Sequence, residues 1–160
     1  MSHNRLGYSL VEVLVSLAIV GLLFTFGFAS FRDFSRRQHL ISVARSIKGE
    51  LRLIQAKAIS GEKPEEVECT GVNTLITFNF QIVNPSTYQV VAVCSGGSVT
   101  TKTETISDDT TMASSQNPIS FKVLGQGTNV SAGAGAIITF TQVGTNSTAT
   151  VTVTEGGEVK

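Results

Sequence analysis

The sequence predicts an α+β protein in which a long N-terminal α-helix packs on a C-terminal antiparallel β-sheet domain. Three observations lead to this fold class. A run from residue 7 to residue 31 is largely apolar and contains one charged residue, Glu12. Apolar residues then recur every three or four positions up to residue 59, and from residue 76 they alternate with polar ones. These two periods are typical of an amphipathic helix and of half-buried strands.

The chain begins with a short polar leader, residues 1–7, followed by an apolar segment, residues 8–31. The length and composition of this segment predict the transmembrane half of the helix. A secretory signal is cut after its apolar core, whereas the processing residue that we expect here, Gly7, precedes the core. The Glu12 carboxylate would cost about 2.5–3.5 kcal/mol near the centre of a bilayer and less near its edge. We therefore expect Glu12 to have a partner.

The stretch Gly7-Tyr8-Ser9-Leu10-Val11-Glu12, followed by an apolar helix, resembles the class III signal of type IV prepilins and pseudopilins. The resemblance implies that prepilin peptidase cuts between Gly7 and Tyr8, and that the new amino terminus, at Tyr8, is N-methylated. It also implies that Glu12 meets the N-terminal amine of a neighbouring subunit in the assembled fibre, since pairing makes a buried charge tolerable. The chain departs from the family at Tyr8, where phenylalanine is commonest, and in lacking a proline in its apolar helix.

A plain signal-anchor helix, with Glu12 at the membrane interface, is the alternative for this segment. The positive-inside rule also favours a cytoplasmic C-terminal domain, because Arg32, Arg36 and Arg37 follow the apolar segment and outweigh the charge of the leader. We favour export, because the cysteines and the strand-rich remainder of the chain fit an exported domain better. The predicted location is the inner membrane, single-pass, with an exported C-terminal domain.

The second half of the helix, residues 32–61, is predicted to be amphipathic. Gly61 is the expected C-terminal stop, and Pro64 follows just beyond it. The basic residues of this half form either a solvated face or a surface that contacts lipid head groups or acidic neighbours in a filament. The apolar residues, spaced by four, three, four, three and four positions, share one helix face: Leu40, Ala44, Ile47, Leu51, Ile54 and Ala58.

The rest of the chain, residues 62–160, is predicted to form one β-rich globular domain. A turn is expected at residues 84–86, and the Ser/Thr-rich residues 95–118 are expected to form a variable loop with one short strand at 100–106. Residues 119–159 are similar to the C-terminal sheet of H-type pseudopilins and related minor pilins. The other expected strands are 76–82, 88–94, 119–124, 136–142 and 149–154.

Cys69 and Cys94 have two possible states. In an exported domain they would form a disulfide that closes a loop of about 25 residues and contributes about 3 kcal/mol. The alternative is two separate buried thiols. If the hairpin turn centres on residues 84–85, Cys94 lies opposite Leu75, so a bridge to Cys69 requires the chain to bend back between them.

The formal net charge is zero, but the charges are unevenly distributed. Residues 1–60 contain eight Lys/Arg and three Asp/Glu, whereas residues 61–160 contain four Lys/Arg and nine Asp/Glu. The distal domain therefore has a net charge near −5. A negative domain gains nothing from phosphate neutralisation, so nucleic acid is disfavoured as a partner. Both histidines, His3 and His39, lie outside this domain, which excludes a Ser-His-Asp or Cys-His site there. We expect no enzyme activity, no metal site and no cofactor.

Together these features predict a minor pilin or pseudopilin, assembled through its N-terminal helix into a type IV pilus-like or type II secretion fibre. The resemblance implies four partners: prepilin peptidase, other pilin or pseudopilin subunits, an inner-membrane assembly platform and the lipid bilayer. Two alternatives remain open. One is a surface adhesin or tip subunit that binds an external ligand through the loop at 95–118, and the other is a plain membrane-anchored domain.

Overall fold

The structure is a computed structural model that describes residues 9–160, without the side chains of residues 25–30. The expected leader, residues 1–7, and Tyr8 lie outside the described residues. The chain divides into two compact units. The N-terminal unit ends at Arg36, and the globular unit is Arg37–Lys160.

Helix α1, Leu10–Ser60, has a capping residue at each end. At the start, the Ser9 hydroxyl accepts a hydrogen bond from the backbone N–H of Glu12 at 3.2 Å, as an N-cap residue does. At the end, Gly61 adopts a φ of 68°, and the Glu62 N–H donates to the Lys57 carbonyl while the Gly61 N–H donates to the Ala58 carbonyl. This pair of bonds is the Schellman motif, in which glycine tolerates the left-handed conformation. The expected stop at Gly61 is confirmed.

In the N-terminal unit, α1 exposes the large apolar side chains that are described. Leu10 is 76% exposed, Leu17 63% and Phe24 68%. We expected residues 8–31 to form the transmembrane half of the helix. Among residues 9–160 there is no helix that is both sufficiently long and sufficiently apolar to cross a membrane.

In the globular unit, α1 packs its apolar face into the core. The side chain of Leu51 is fully buried, whereas Leu53, two positions further along, is 50% exposed. The helix residues and the inward-facing residues of the strands form one hydrophobic cluster, so the helix lies on the β-structure. The predicted helix face is confirmed in full, since all six of its residues are buried: Leu40, Ala44, Ile47, Leu51, Ile54 and Ala58.

The described strands form two antiparallel sheets. The first has the order β3-β2-β1-β5 and the second the order β4-β6-β7. The α+β class is confirmed. The division of the strands between two sheets was not predicted from the sequence. The strands are β1 Leu75–Asn84, β2 Thr87–Cys94, β3 Gly97–Thr105, β4 Thr110–Ser114, β5 Ile119–Lys122, β6 Ala136–Gln142 and β7 Thr148–Val153.

The β1–β2 hairpin has the predicted register. Leu75 pairs with Cys94, and Asn84 pairs with Thr87 across the turn. Inside this hairpin, Phe80 and Tyr88 stack with their ring centroids 5.0 Å apart. Both side chains are buried, so the stacked pair contributes to the core beneath α1.

The strand expected at 100–106 is confirmed as β3 and is longer than expected, but the rest of the expected loop at residues 95–118 is partly wrong. Most of this stretch forms β3 and β4, and only a short turn around Asp108 and Asp109 separates the two strands. Strand β3 lies at a sheet edge and is exposed or half-buried throughout, so its sequence shows no apolar alternation. Its threonines favour a strand through their β-branched side chains, a weaker signal than hydrophobic period. The strand expected at 119–124 also ends early, because Val123–Gly125 forms a 3-10 turn.

Candidate assembly site

Glu12 lies at the third position of α1, three residues after the N-cap, Ser9. Ser9 and Glu12 have the spacing of a capping box, in which a glutamate at the third helical position follows a serine cap. The Ser16 hydroxyl donates to the Glu12 carbonyl oxygen at 2.8 Å and ties the next turn to the first. A carboxylate in the first turn is also stabilised by the positive end of the helix dipole. Both hydrogen bonds involve backbone atoms of Glu12, so they leave its carboxylate free for an intermolecular contact.

The Glu12 side chain borders a shallow apolar groove on the helix surface. The groove has a volume of about 340 Å³ and is lined by Glu12, Val13, Ser16, Leu17 and Val20. Glu12 is exposed, and no residue in the range 9–160 forms an ion pair with its carboxylate. The arrangement places one anionic group at the edge of an apolar surface. Chemically, such a group can accept hydrogen bonds from a cation brought by another molecule.

Gly7 and Tyr8, the expected cleavage and N-methylation residues, lie outside the described residues. The nearest described residue is Ser9, the N-cap of α1. The roles of Gly7 and Tyr8 stay predictions of the sequence.

Cys69 and Cys94 form a disulfide, which is the first of the two alternatives open from the sequence. Their Cα atoms are 5.3 Å apart, and both side chains are buried. Cys94 ends β2, and Cys69 reaches it because successive turns fold the chain back before β1 begins. The Lys63 ammonium also donates to the Asn73 carbonyl oxygen at 2.6 Å within the same connection. This connection between α1 and β1 is therefore held at several points.

Two polar contacts between α1 and the strands were not visible from the sequence. The Lys102 ammonium on β3 lies 2.9 Å from a carboxylate oxygen of Glu50 on α1, and this hydrogen bond raises the pKa of Lys102. Burial raises the pKa of the nearby Tyr88 hydroxyl, and the Glu50 charge adds to the shift. A residue pair separated by 52 positions leaves no local sequence signal.

The second contact joins His39 on α1 to the turn before β4. The His39 Nδ1 atom lies 3.6 Å from a carboxylate oxygen of Asp109. A hydrogen bond from the Ser107 hydroxyl lowers the pKa of Asp109 and is the main cause of that shift. From the sequence, His39 was only a residue outside the distal domain that no catalytic site there could use. In the structure, its side chain links α1 to the turn before β4.

Within residues 9–160, no group of three or more His, Cys, Asp or Glu side chains is placed to hold a metal ion. Two acidic stretches of the globular unit, Glu65-Glu66 and Asp108-Asp109, differ in their surroundings. Asp109 contacts Ser107 and His39, whereas Glu65 and Glu66 are exposed beside a surface groove.

Comparison with protein-family models identifies one feature of the chain. The model described as the prokaryotic N-terminal methylation motif matches residues 2–28. No significant match was found among curated proteins or among solved structures. The matched residues include Gly7, Tyr8 and Glu12, on which the resemblance to type IV prepilins depended. The chain therefore carries the type IV prepilin-like signal at its N-terminus, ahead of a helix that packs on an antiparallel β-domain.

Proposed function

We propose that this protein is a structural, non-enzymatic subunit, a minor pilin or pseudopilin, of a type IV pilus-like or type II secretion fibre. The methylation motif at residues 2–28 carries the proposal. This motif implies processing by prepilin peptidase, anchoring at a membrane and assembly with other pilins. In the proposed sequence of events, the peptidase cuts after Gly7, the amine of Tyr8 is methylated, and an inner-membrane platform draws the subunit into the fibre.

The exposed apolar surface of the N-terminal unit supports assembly through α1. Each large apolar side chain described between Leu10 and Phe24 is at least 45% exposed. A helix that is apolar around its whole circumference is normally covered by protein or lipid. In the proposal, lipid covers the surface of α1 before assembly, and the helices of neighbouring subunits cover it in the fibre.

Glu12 supplies the specific contact in this packing. Its carboxylate is exposed, borders an apolar groove and has no ion-pair partner within residues 9–160. When neighbouring helices cover the groove, the carboxylate loses water and its charge needs a cation. The methylated amine of Tyr8 on the adjacent subunit is the proposed cation.

The globular unit faces outward in this proposal, in an exported location. The alternative of a ligand-binding tip subunit depended on a loop at residues 95–118. Since β3 and β4 occupy most of that stretch, no described observation favours the alternative.

We expect Glu12→Gln to be cleaved after Gly7 but largely excluded from fibres. The amide keeps the size of the side chain and removes its charge. Leaving one member of a buried ion pair without its partner costs about 3–5 kcal/mol, which predicts at least a tenfold loss of incorporation. The measurement is the fraction of processed subunit that co-isolates with sheared fibres, compared with the fraction left in the membrane.

Ser16→Ala is the matched control, because Ser16 lines the same groove without carrying charge. This variant is expected to enter fibres at nearly the wild-type level. Incorporation of Glu12→Gln at the wild-type level would contradict the proposed pairing.

A further inference from the structure

A groove on the globular unit has an acidic rim. It has a volume of about 250 Å³, and its lining includes Lys57, Glu62, Glu65, Glu66 and Phe78. We call it the acidic groove. It lies where the end of α1, the connection to β1 and the first sheet meet.

The acidic groove keeps a net negative charge after its internal ion pair is taken into account. The Lys57 ammonium lies 3.0 Å from a Glu62 carboxylate oxygen, so these two charges compensate each other. Glu65 and Glu66 are exposed, and neither forms an ion pair with any residue of the described chain. Two uncompensated carboxylates therefore remain at the rim.

The chemistry of the acidic groove fits an arginine side chain. Glu65 and Glu66 are adjacent in the chain and both line the groove, so two carboxylates lie close together at its rim. The planar guanidinium binds carboxylates through two parallel hydrogen bonds, which a lysine ammonium cannot match.

The connection that forms one wall of the groove is held in place before any partner arrives. The Cys69–Cys94 disulfide anchors its far end, and the Lys63 ammonium bonds the Asn73 carbonyl oxygen. A second bond runs from the Asn73 side-chain amide to the Val67 carbonyl oxygen at 3.3 Å. A preformed surface loses less conformational entropy on binding than a mobile one.

The same chain carries a complementary surface in its N-terminal unit. Arg32 and Arg36 are four positions apart on α1 and so share one helix face. Neither arginine forms an ion pair with a described residue, and the side chains of Phe31 and Phe34 beside them are 68% and 59% exposed. This basic face offers the arginines that the carboxylates of the acidic groove suit.

We infer that the acidic groove of one copy binds the basic face, Arg32 and Arg36, of a second copy. The inference rests on the proposed assembly into fibres and names a contact within it. The two surfaces are different, so the contact is head-to-tail. A head-to-tail contact whose rotation does not close generates an open helical filament, in agreement with a fibre.

Charge reversal in the full chain tests this contact in cells that assemble the fibre. Glu65→Lys/Glu66→Lys and Arg32→Glu/Arg36→Glu are each expected to reduce incorporation roughly tenfold, since like charges then face each other. The chain with all four changes restores opposite charges and is expected to recover to within about twofold of wild type. Asp108→Lys/Glu155→Lys reverses two exposed acidic residues elsewhere and is expected to behave as wild type.

Zero-length cross-linking gives a second measurement, which does not require that the protein still folds after its charges are reversed. In Arg36→Lys, a carbodiimide can join the new amine to a groove carboxylate as an amide, with loss of water. We expect a cross-linked dimer from isolated fibres. We expect that dimer to be absent when Glu65→Gln/Glu66→Gln is added, because an amide side chain cannot be activated.

The outcomes separate this inference from the proposed function. Three results would each overturn the groove contact alone. They are wild-type incorporation of both reversed pairs, a four-change chain as defective as either pair, and a cross-link that persists undiminished without the Glu65 and Glu66 carboxylates. If a different subunit supplies the arginines, reversal of the groove alone causes a loss that the four-change chain does not recover, which also overturns a second copy as the occupant. Failure of the wild-type chain to enter fibres would overturn both the inference and the proposed function.

Discussion

Leu51→Ala is expected to lower the free energy of unfolding by about 2–5 kcal/mol. Leu51 lies at the centre of the buried face of α1 and is fully buried among the helix and strand residues of the core. Truncating it removes apolar contacts and leaves a cavity that the sheets on one side and the helix backbone on the other cannot readily fill. The measurement is chemical denaturation of the purified full chain in detergent, followed by circular dichroism.

Leu53→Ala is the matched control for this prediction. Leu53 is on the same helix, has the same side chain and is 50% exposed. Its truncation is expected to change the free energy of unfolding by about 0.5 kcal/mol or less. Equal losses for Leu51→Ala and Leu53→Ala would contradict the orientation of α1 on the sheets.

Removal of the disulfide has the second large expected effect. Cys69→Ala/Cys94→Ala is expected to lower the free energy of unfolding by about 3 kcal/mol, because the bond restricts a loop of 25 residues in the unfolded chain. Its other consequence is local, since Cys69 anchors the connection that reaches from α1 to β1.

A reducing agent provides the test within one protein. Reduction is expected to shift the unfolding midpoint of the wild-type chain towards that of Cys69→Ala/Cys94→Ala, and to leave the midpoint of the double variant unchanged. A wild-type midpoint that does not respond to reduction under denaturing conditions would contradict a stabilising disulfide.

The helix and the first hairpin could be predicted from sequence because their signals are local. The buried face of α1 follows from the regular spacing of apolar residues over residues 40–58. The end of the helix follows from Gly61, because glycine readily adopts the left-handed conformation found after a helix end. The pairing of Leu75 with Cys94 follows from the position of the turn and from the alternation of apolar and polar residues along the two strands. Each of these features is set by residues close together in the chain.

The remaining β-structure could not be predicted to the same degree, for physical reasons. Strand β3 is a polar edge strand, so no hydrophobic alternation reveals its full length, and only residues 100–106 were expected to be extended. The pairing of β1 with β5 and of β4 with β6 depends on long-range packing that leaves no local pattern. The grouping of the strands into two sheets follows from these pairings and was therefore missed.

The candidate site likewise has parts that could be predicted from the sequence and parts that could not. The residues from Gly7 to Glu12 are contiguous and form a recognisable motif, which the family comparison confirms as a type IV prepilin-like signal. The capping role of Ser9 became visible only with the helix start in place. The acidic groove could not be predicted, since Phe78 and the loop glutamates meet only through the fold.

The central claim is that the mature chain is a prepilin-type product that begins at Tyr8. Intact-mass spectrometry of the protein isolated from its native membrane tests it most directly. The predicted mass is that of residues 8–160, with one methyl group replacing a hydrogen on the amine of Tyr8 and two hydrogens lost to the disulfide. A chain that retains Met1, or one cut after residue 31, would contradict the claim.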